Sequence, residues 1–268
     1  FSAVFEIDIK GKIYSEWFGK TIINSDKRFS YEEAQLLIEN KKTKIDKEVA
    51  LEKKEYSVTE EILQAILGLN TIAKSLRNER MKKGALSFDK VEVGFSLNSK
   101  KEPTGIRLKE SKDANKLVEE FMLLANKKVA EYIKRKKPAK SFIYRVHDHP
   151  DDDKIKNLKE IVSSFGYKLD TDNKNLNKSL NNLFLQIKGK PEQNMIDTLT
   201  IRSMSKAVYT TENIGHYGLA FDSYSHFTSP IRRYPDILTH RLLEKYITGG
   251  KSEDKEALEE ACIHSSYK

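Results

Sequence analysis

The chain has 268 residues, 38% of them hydrophobic and 33% charged, with 48 Lys and Arg against 40 Asp and Glu and a formal net charge of +8. A polymer of this length buries roughly 70 to 75% of its unfolded surface, enough for one large domain or two unequal ones, and no run approaches the ~18 apolar residues of a membrane span. The single cysteine, Cys262, excludes an internal disulfide and a cysteine-based zinc site.

The first residues, FSAVFEIDIKGK, lack the basic start and apolar stretch of a secretory signal, so the chain is expected in the cytoplasm and off the membrane. It opens on Phe rather than Met and is expected to be a piece of a longer protein. Phe1, Ala3, Phe5 and Ile7 alternate with polar or smaller residues; KGK then turns into IYSEWFG, which predicts a hairpin. Ser30 with Glu33 has the spacing of a capping box, and Ser57 with Glu60 repeats it, so helices are predicted to start at both. Between them residues 41–56, KKTKIDKEVALEKKEY, read as a mobile loop. A second hairpin is predicted from VEVGFSL, the turn NSKKEP and TGIRLK. Further helices are predicted over 113–137, 151–165, 192–206, 230–247 and 253–264. The pattern is α+β, a single mixed domain of antiparallel hairpins packed with several helices.

The excess positive charge is clustered. KSLRNERMKKG (74–84) has five basic residues against one acid, and KKVAEYIKRKKPAK (127–140) has seven against one. Such runs suit a polyanion, with counterion release supplying affinity, or else form a solvated helix face. On the 113–137 helix, Val118, Met122, Ala125, Val129 and Ile133 define a buried face; Glu120 then falls with Lys127 and Glu131 toward solvent. Glu119 falls beside the apolar face, where a carboxylate needs a partner.

Two clusters compete as the chemical centre. YRVHDHPDDD gathers His147, Asp148, His149, Asp151, Asp152 and Asp153, but the Asp run opens a predicted helix, where acids cap amides and consecutive side chains diverge by about 100°. A structural role is expected there, and no metal ligand is assigned. The second cluster is SPIRRYPD. Ser229 with Pro230 is the stronger of two possible helix starts, with free amides facing outward for an anion, and Arg232 and Arg233 would sit in its first turn. An arginine fork matches phosphate geometry; the alternative is that both arginines pair with Asp222, Asp236 or Glu244.

The segment GHYGLAFDSYSHFTSPIRRYPDILTHRLL (215–243) resembles the ribonuclease II/R family in its catalytic RNB domain. KKGALSFDK, LVEEFMLLANKKVAEYI, YRVHDHPDDDKIKNLKEIVSSFG, IRSMSKAVYTTENIG and the first 39 residues resemble further segments of ribonuclease R in order. The resemblance covers nearly the whole chain apart from 41–56 and 170–190.

It implies an RNB-type fold and a hydrolytic exoribonuclease. Such an enzyme degrades single-stranded RNA processively from the 3′ end to 5′-mononucleotides, with a divalent metal, magnesium. By motif match it implies that Arg232 is catalytic and that Phe88 stacks at the RNA 3′ end. Tyr31 would set the final product length, and Glu119 would line the site; Ser229 and Arg233 are the neighbouring RNA-binding candidates. The family's metal-binding aspartates lie in a motif with four Asp that has no counterpart in this sequence. The chain is therefore expected to be the C-terminal part of an RNB domain, monomeric and inert alone. The alternative is a catalytically inactive RNB-type protein that binds RNA as a regulator.

Overall fold

The computed structural model describes residues 1–87, 92–109, 111–172 and 175–268. β1 (Ser2–Ile7) and β2 (Ile13–Gly19) form the first antiparallel hairpin. Its turn is closed by Asp8, whose carboxylate accepts the N–H groups of Lys10 and Lys12, both at 2.9 Å, while Gly11 takes φ +85°. An Asx side chain and a glycine are what such a turn requires. The face carrying Phe1, Ala3 and Phe5 lies on the main core with Phe18.

α1 (Tyr31–Asn40) begins in the expected capping box: Ser30 Oγ accepts from Glu33 N, and Glu33 accepts from Ser30 N. Glu33 is buried, and it also accepts Leu51 N and Tyr56 Oη, each at 2.9 Å. Burial alone would raise its pKa; these hydrogen bonds outweigh it and hold the carboxyl below its usual range. Residues 41–56, expected as a mobile loop, hold β3 (Lys44–Ile45), which pairs with β4 (Tyr56–Ser57). Ile45 and Ala50 are fully buried there beside Leu37 and Leu63. Ser57 is spent in β4, so α2 (Glu60–Lys82) is capped instead by Thr59, whose Oγ1 accepts from Ile62 N at 3.3 Å.

β5 (Glu92–Leu97) and β6 (Pro103–Lys109) make the second expected hairpin. α3 (Asp113–Lys134) follows, three residues shorter than predicted, and packs on α1 and α2. Its buried face keeps Ala125, Val129 and Ile133 of the predicted stripe but not Val118 and Met122. Leu124, Ala125, Val129, Ala130 and Ile133 are buried, as are Glu120 and Asn126, whereas Val118 is 38% exposed. Glu120, expected in solvent, is buried because Arg80 of α2 reaches it with two nitrogens, Nε at 3.3 Å and a closer Nη2. Hydrophobic periodicity cannot anticipate such a partner.

β7 (Tyr144–Val146) pairs with the distant β8 (Val208–Thr210). Between them α4 (Asp152–Ser164), α5 (Leu176–Ile187) and α6 (Gln193–Ser203) build a second core from residues such as Leu158, Val162, Leu180, Leu183 and Ile196. α5 was not predicted. α7 (Tyr234–Ile247) and α8 (Lys255–Tyr267) close the main core, where Val129, Phe142, Leu243 and Tyr246 meet. Among the described residues, helices with four two-stranded antiparallel ribbons make the α+β class that the sequence predicts. No described helix is long and apolar enough to cross a membrane.

Candidate nucleic-acid interface

Residues 215–233 form little regular structure, only a 3-10 turn at Tyr217–Leu219, so neighbouring elements must satisfy their backbone groups. β7 takes the first part: Arg145 N donates to Tyr224 O at 2.9 Å, His147 N to Gly215 O at 3.1 Å, and Tyr217 N returns to His147 O at 2.8 Å. α3 takes the centre through Asn126, whose Oδ1 accepts Phe227 N (2.8 Å) and Thr228 N (3.2 Å) and whose Nδ2 donates to Tyr224 Oη (3.0 Å). α7 takes the end. His240 Nε2 donates to Phe227 O at 2.7 Å, and Asp236 Oδ1 accepts Ser229 N at 2.7 Å and Arg233 Nη2 at 2.8 Å.

The predicted helix start at Ser229–Pro230 is corrected by this geometry. Arg232 N and Arg233 N both return to Ser229 O (3.3 and 3.1 Å), which closes a turn, and the Ser229 amide is already given to Asp236. Of the amides a helix start there would turn outward, those of Ser229, Arg232 and Arg233 are thus occupied. The helix begins at Tyr234, with Pro235 in its first turn, the second of the two starts the sequence offered.

One groove joins several of the candidate residues. Tyr31, the first residue of α1, faces Glu119 and Asn126 of α3, with Tyr224 and Arg233 on the loop side. Val118 and Met122, predicted as core, line this groove instead. Glu119 is half-exposed and paired with Lys116 (3.3 Å) and Arg80 (3.6 Å), so the buried Arg80 ties both acids of the EE pair to α2. Arg233, held by the fully buried Asp236, lies on the groove wall. Arg232 is exposed, with Ser229 Oγ at 3.5 Å. Phe88 lies outside the described residues, but the segment leading to it is fixed: Leu86 N donates to Gly218 O at 2.9 Å, and Asn181 Nδ2 donates to Ala85 O at 2.9 Å.

The charge around the loop is cationic. Burial pushes His226 down to about 3, helped by the charges of Arg233, Arg145, His216 and Arg232. Burial pushes His216 to about 3 as well, with His147 and Arg145 adding to it. Both rings are neutral at pH 7 and act as hydrogen-bonding and stacking groups, His226 Nδ1 meeting Tyr209 Oη at 2.7 Å. Sequence reasoning missed Asn126 and Arg145, whereas Asp236 was among the partners expected for the arginines and does hold Arg233. A lone amide among apolar positions of α3 was the one legible signal, since a buried Asn must find partners.

The 147–153 cluster is occupied with backbone. Asp151 caps α4, accepting Asp153 N (3.0 Å) and Lys154 N (3.1 Å), and Asp148 accepts His149 N at 2.7 Å. His147 has both ring nitrogens engaged, Nδ1 accepting Gly218 N at 2.9 Å and Nε2 donating to Ser205 O at 2.8 Å. Among the described residues no group of three or more His, Cys, Asp or Glu side chains is placed to hold a metal ion. These residues therefore do not by themselves fit magnesium.

A family model described as the RNB domain matches residues 1–249. Ribonuclease R of Aquifex aeolicus is 35% identical over 269 residues, covering 99% of this chain and 36% of that protein. DIS3-like exonuclease 2 of Xenopus tropicalis is 36% identical over 253 residues, covering 91% of this chain and 30% of that protein. The chain thus spans about a third of the length of these relatives. Among solved structures, Mycoplasma genitalium RNase R in complex with ribose methylated single-stranded RNA superposes with a TM-score of 0.82 at 23% identity, over 99% of this chain and 40% of that one. Family match, relatives and fold agree: the chain belongs to the RNB-domain family.

Proposed function

We propose that this chain is the RNA-gripping part of a 3′–5′ exoribonuclease that hydrolyses single-stranded RNA to 5′-mononucleotides. The observation that carries the reading is the groove in which Tyr31, Glu119 and Arg233 meet beside the exposed Arg232. Each has a role there. Tyr31 supplies a ring face on which any base stacks, worth about 1 to 3 kcal/mol per base, and Phe88, outside the described residues, is assigned the same work by its motif alone. Arg233 and Ser229 fix the turn and lend it charge and a hydroxyl. Arg232 is free of any carboxylate among the described residues and is the group proposed to hold the scissile phosphate as charge develops. Glu119 sets the polarity of the facing wall.

The divalent metal that such hydrolysis calls for would need carboxylates that the described residues of this chain do not bring together. The second reading is a catalytically silent RNA-binding protein of this family, which would need the groove and its arginines but no such carboxylates. A monomeric, cytoplasmic protein is proposed under either reading.

Labelled single-stranded RNA, incubated with the protein in millimolar magnesium, tests them together. Stepwise shortening from the 3′ end supports the nuclease. Binding without shortening by the full-length protein supports the silent alternative. Neither binding nor shortening overturns both.

A further inference from the structure

The β7–β8 ribbon presents a cation that the reading above does not use. Arg145 and Tyr209 are direct cross-strand partners, and the guanidinium carbon sits 4.5 Å from the centre of the Tyr209 ring. Stacking on an aromatic face fixes the plane of the fork and leaves its edge for a ligand. Tyr209 in turn meets His226 through its hydroxyl, and the rings of His226 and Tyr224 lie 5.6 Å apart. Arg145 is therefore linked, ring by ring, to Tyr224 on the wall of the groove.

Its charge has no counterpart. Arg145 is partly buried, and no ion pair joins it to a carboxylate among the described residues. Burial lowers its pKa and the like charge of Arg233 lowers it further, yet a guanidinium stays protonated. Arg232, Arg233 and Arg145 all bear on His226, a ring that burial keeps neutral. Among the described residues of this cluster, Arg233 alone has a carboxylate, that of Asp236. Two guanidinium groups remain uncompensated, the exposed Arg232 and the partly buried Arg145, an arrangement that favours a visiting anion.

We propose that Arg145 is an RNA-phosphate contact, its guanidinium held over the Tyr209 ring to grip a phosphate of the strand other than the one at Arg232. The proposal rests on the RNA reading above and adds a second grip, contributed by a strand rather than by the SPIRR turn.

The test is equilibrium binding of the chain to a fluorescein-labelled oligo(A) of roughly ten nucleotides, in calcium, over a series of salt concentrations. Arg145→Gln should weaken binding about 5- to 20-fold and lower the log–log salt slope by about 0.7, the loss of one phosphate contact on a single strand. Arg145→Lys should keep the slope and bind a few-fold more weakly, because a point charge lacks the fork. If the Gln variant fails to fold by circular dichroism, the Lys variant decides alone: wild-type affinity would overturn the proposal. Inorganic phosphate should compete only at concentrations that act as bulk salt; tight competition would make the site one for a free anion and overturn the RNA contact. If Tyr31→Ala weakens binding while Arg145→Gln leaves affinity and slope unchanged, the second grip is wrong and the RNA reading stands. If the unsubstituted chain binds no RNA, both fall.

Discussion

Asn126 on α3 and Phe227 on the loop are joined by a 2.8 Å hydrogen bond from the Phe227 amide to the Asn126 side-chain oxygen, which also accepts the Thr228 amide. One amide side chain thus sets the height of the arginine turn above the helix that forms the groove floor. Asn126→Ala strands two backbone donors in a buried place, and each such donor costs about 1 to 3 kcal/mol. The expected loss is about 2 to 6 kcal/mol in urea unfolding, with faster hydrogen exchange at Phe227 and Thr228. Unchanged exchange at both amides would show that the loop keeps its shape without α3.

The two arginines of the turn should separate cleanly. Arg233→Ala leaves the fully buried Asp236 without its cation, which costs about 3 to 5 kcal/mol of stability. Arg232→Ala touches no buried partner and should leave stability within about 0.5 kcal/mol. In an active nuclease carrying this chain it should slow turnover about 100-fold, or about 3 kcal/mol, with a much smaller effect on RNA affinity. Single-turnover hydrolysis beside equilibrium binding reads the difference. Equal losses in turnover and affinity would make Arg232 an ordinary backbone contact.

For the acidic run, only Asp151 should matter individually. Asp151→Ala removes the cap of α4 and should cost about 1 kcal/mol, whereas Asp151→Asn keeps a capping oxygen and should be close to neutral. RNA hydrolysis by a full-length protein should be indifferent to both. A loss of turnover of about 100-fold in either, with the fold intact, would return this cluster to the chemistry.

Acid should weaken the fold through its buried imidazoles. His216 and His226 are held at about 3, against 6.5 for the free side chain, so below pH 6.5 the unfolded chain binds protons that the folded chain refuses. Stability is complete above about pH 6.5 and is lost as the pH falls toward 3, at about 1.4 kcal/mol per pH unit for each ring. Urea midpoints between about pH 7 and 5 should drop accordingly, and His226→Gln should flatten the profile by roughly half. A flat wild-type profile would mean that the two rings protonate in place.

What the sequence disclosed tracks the range of the interactions concerned. The Ser30–Glu33 capping box, the Asp151 cap and both predicted hairpins depend on neighbours a few residues apart, and all are present. The assignment of Glu120 to solvent failed because its partner, Arg80, lies 40 positions away on another helix. The Ser229 start failed for a related reason, since Asp236 drew the amide on which an anion site depended. α5 was legible in hindsight: Leu176, Leu180, Leu183 and Ile187 repeat at helical spacing and are all buried. Of the candidate site, Tyr31, Glu119 and Arg233 were named in advance, whereas Asn126 and Arg145 depend on contacts far along the chain, with Tyr224 in both cases.

That distribution of partners bears on portability. Residues 215–233 draw their hydrogen bonds from β7, α3 and α7 and form almost no regular structure among themselves. A synthetic peptide with the sequence of 215–243 should be conformationally disordered in water, and the same stretch grafted onto a foreign scaffold should arrive without its shape. The octapeptide SPIRRYPD is only the inscription; a designer wishing to move this turn elsewhere would have to transplant Asn126, Asp236 and the backbone of β7 along with it.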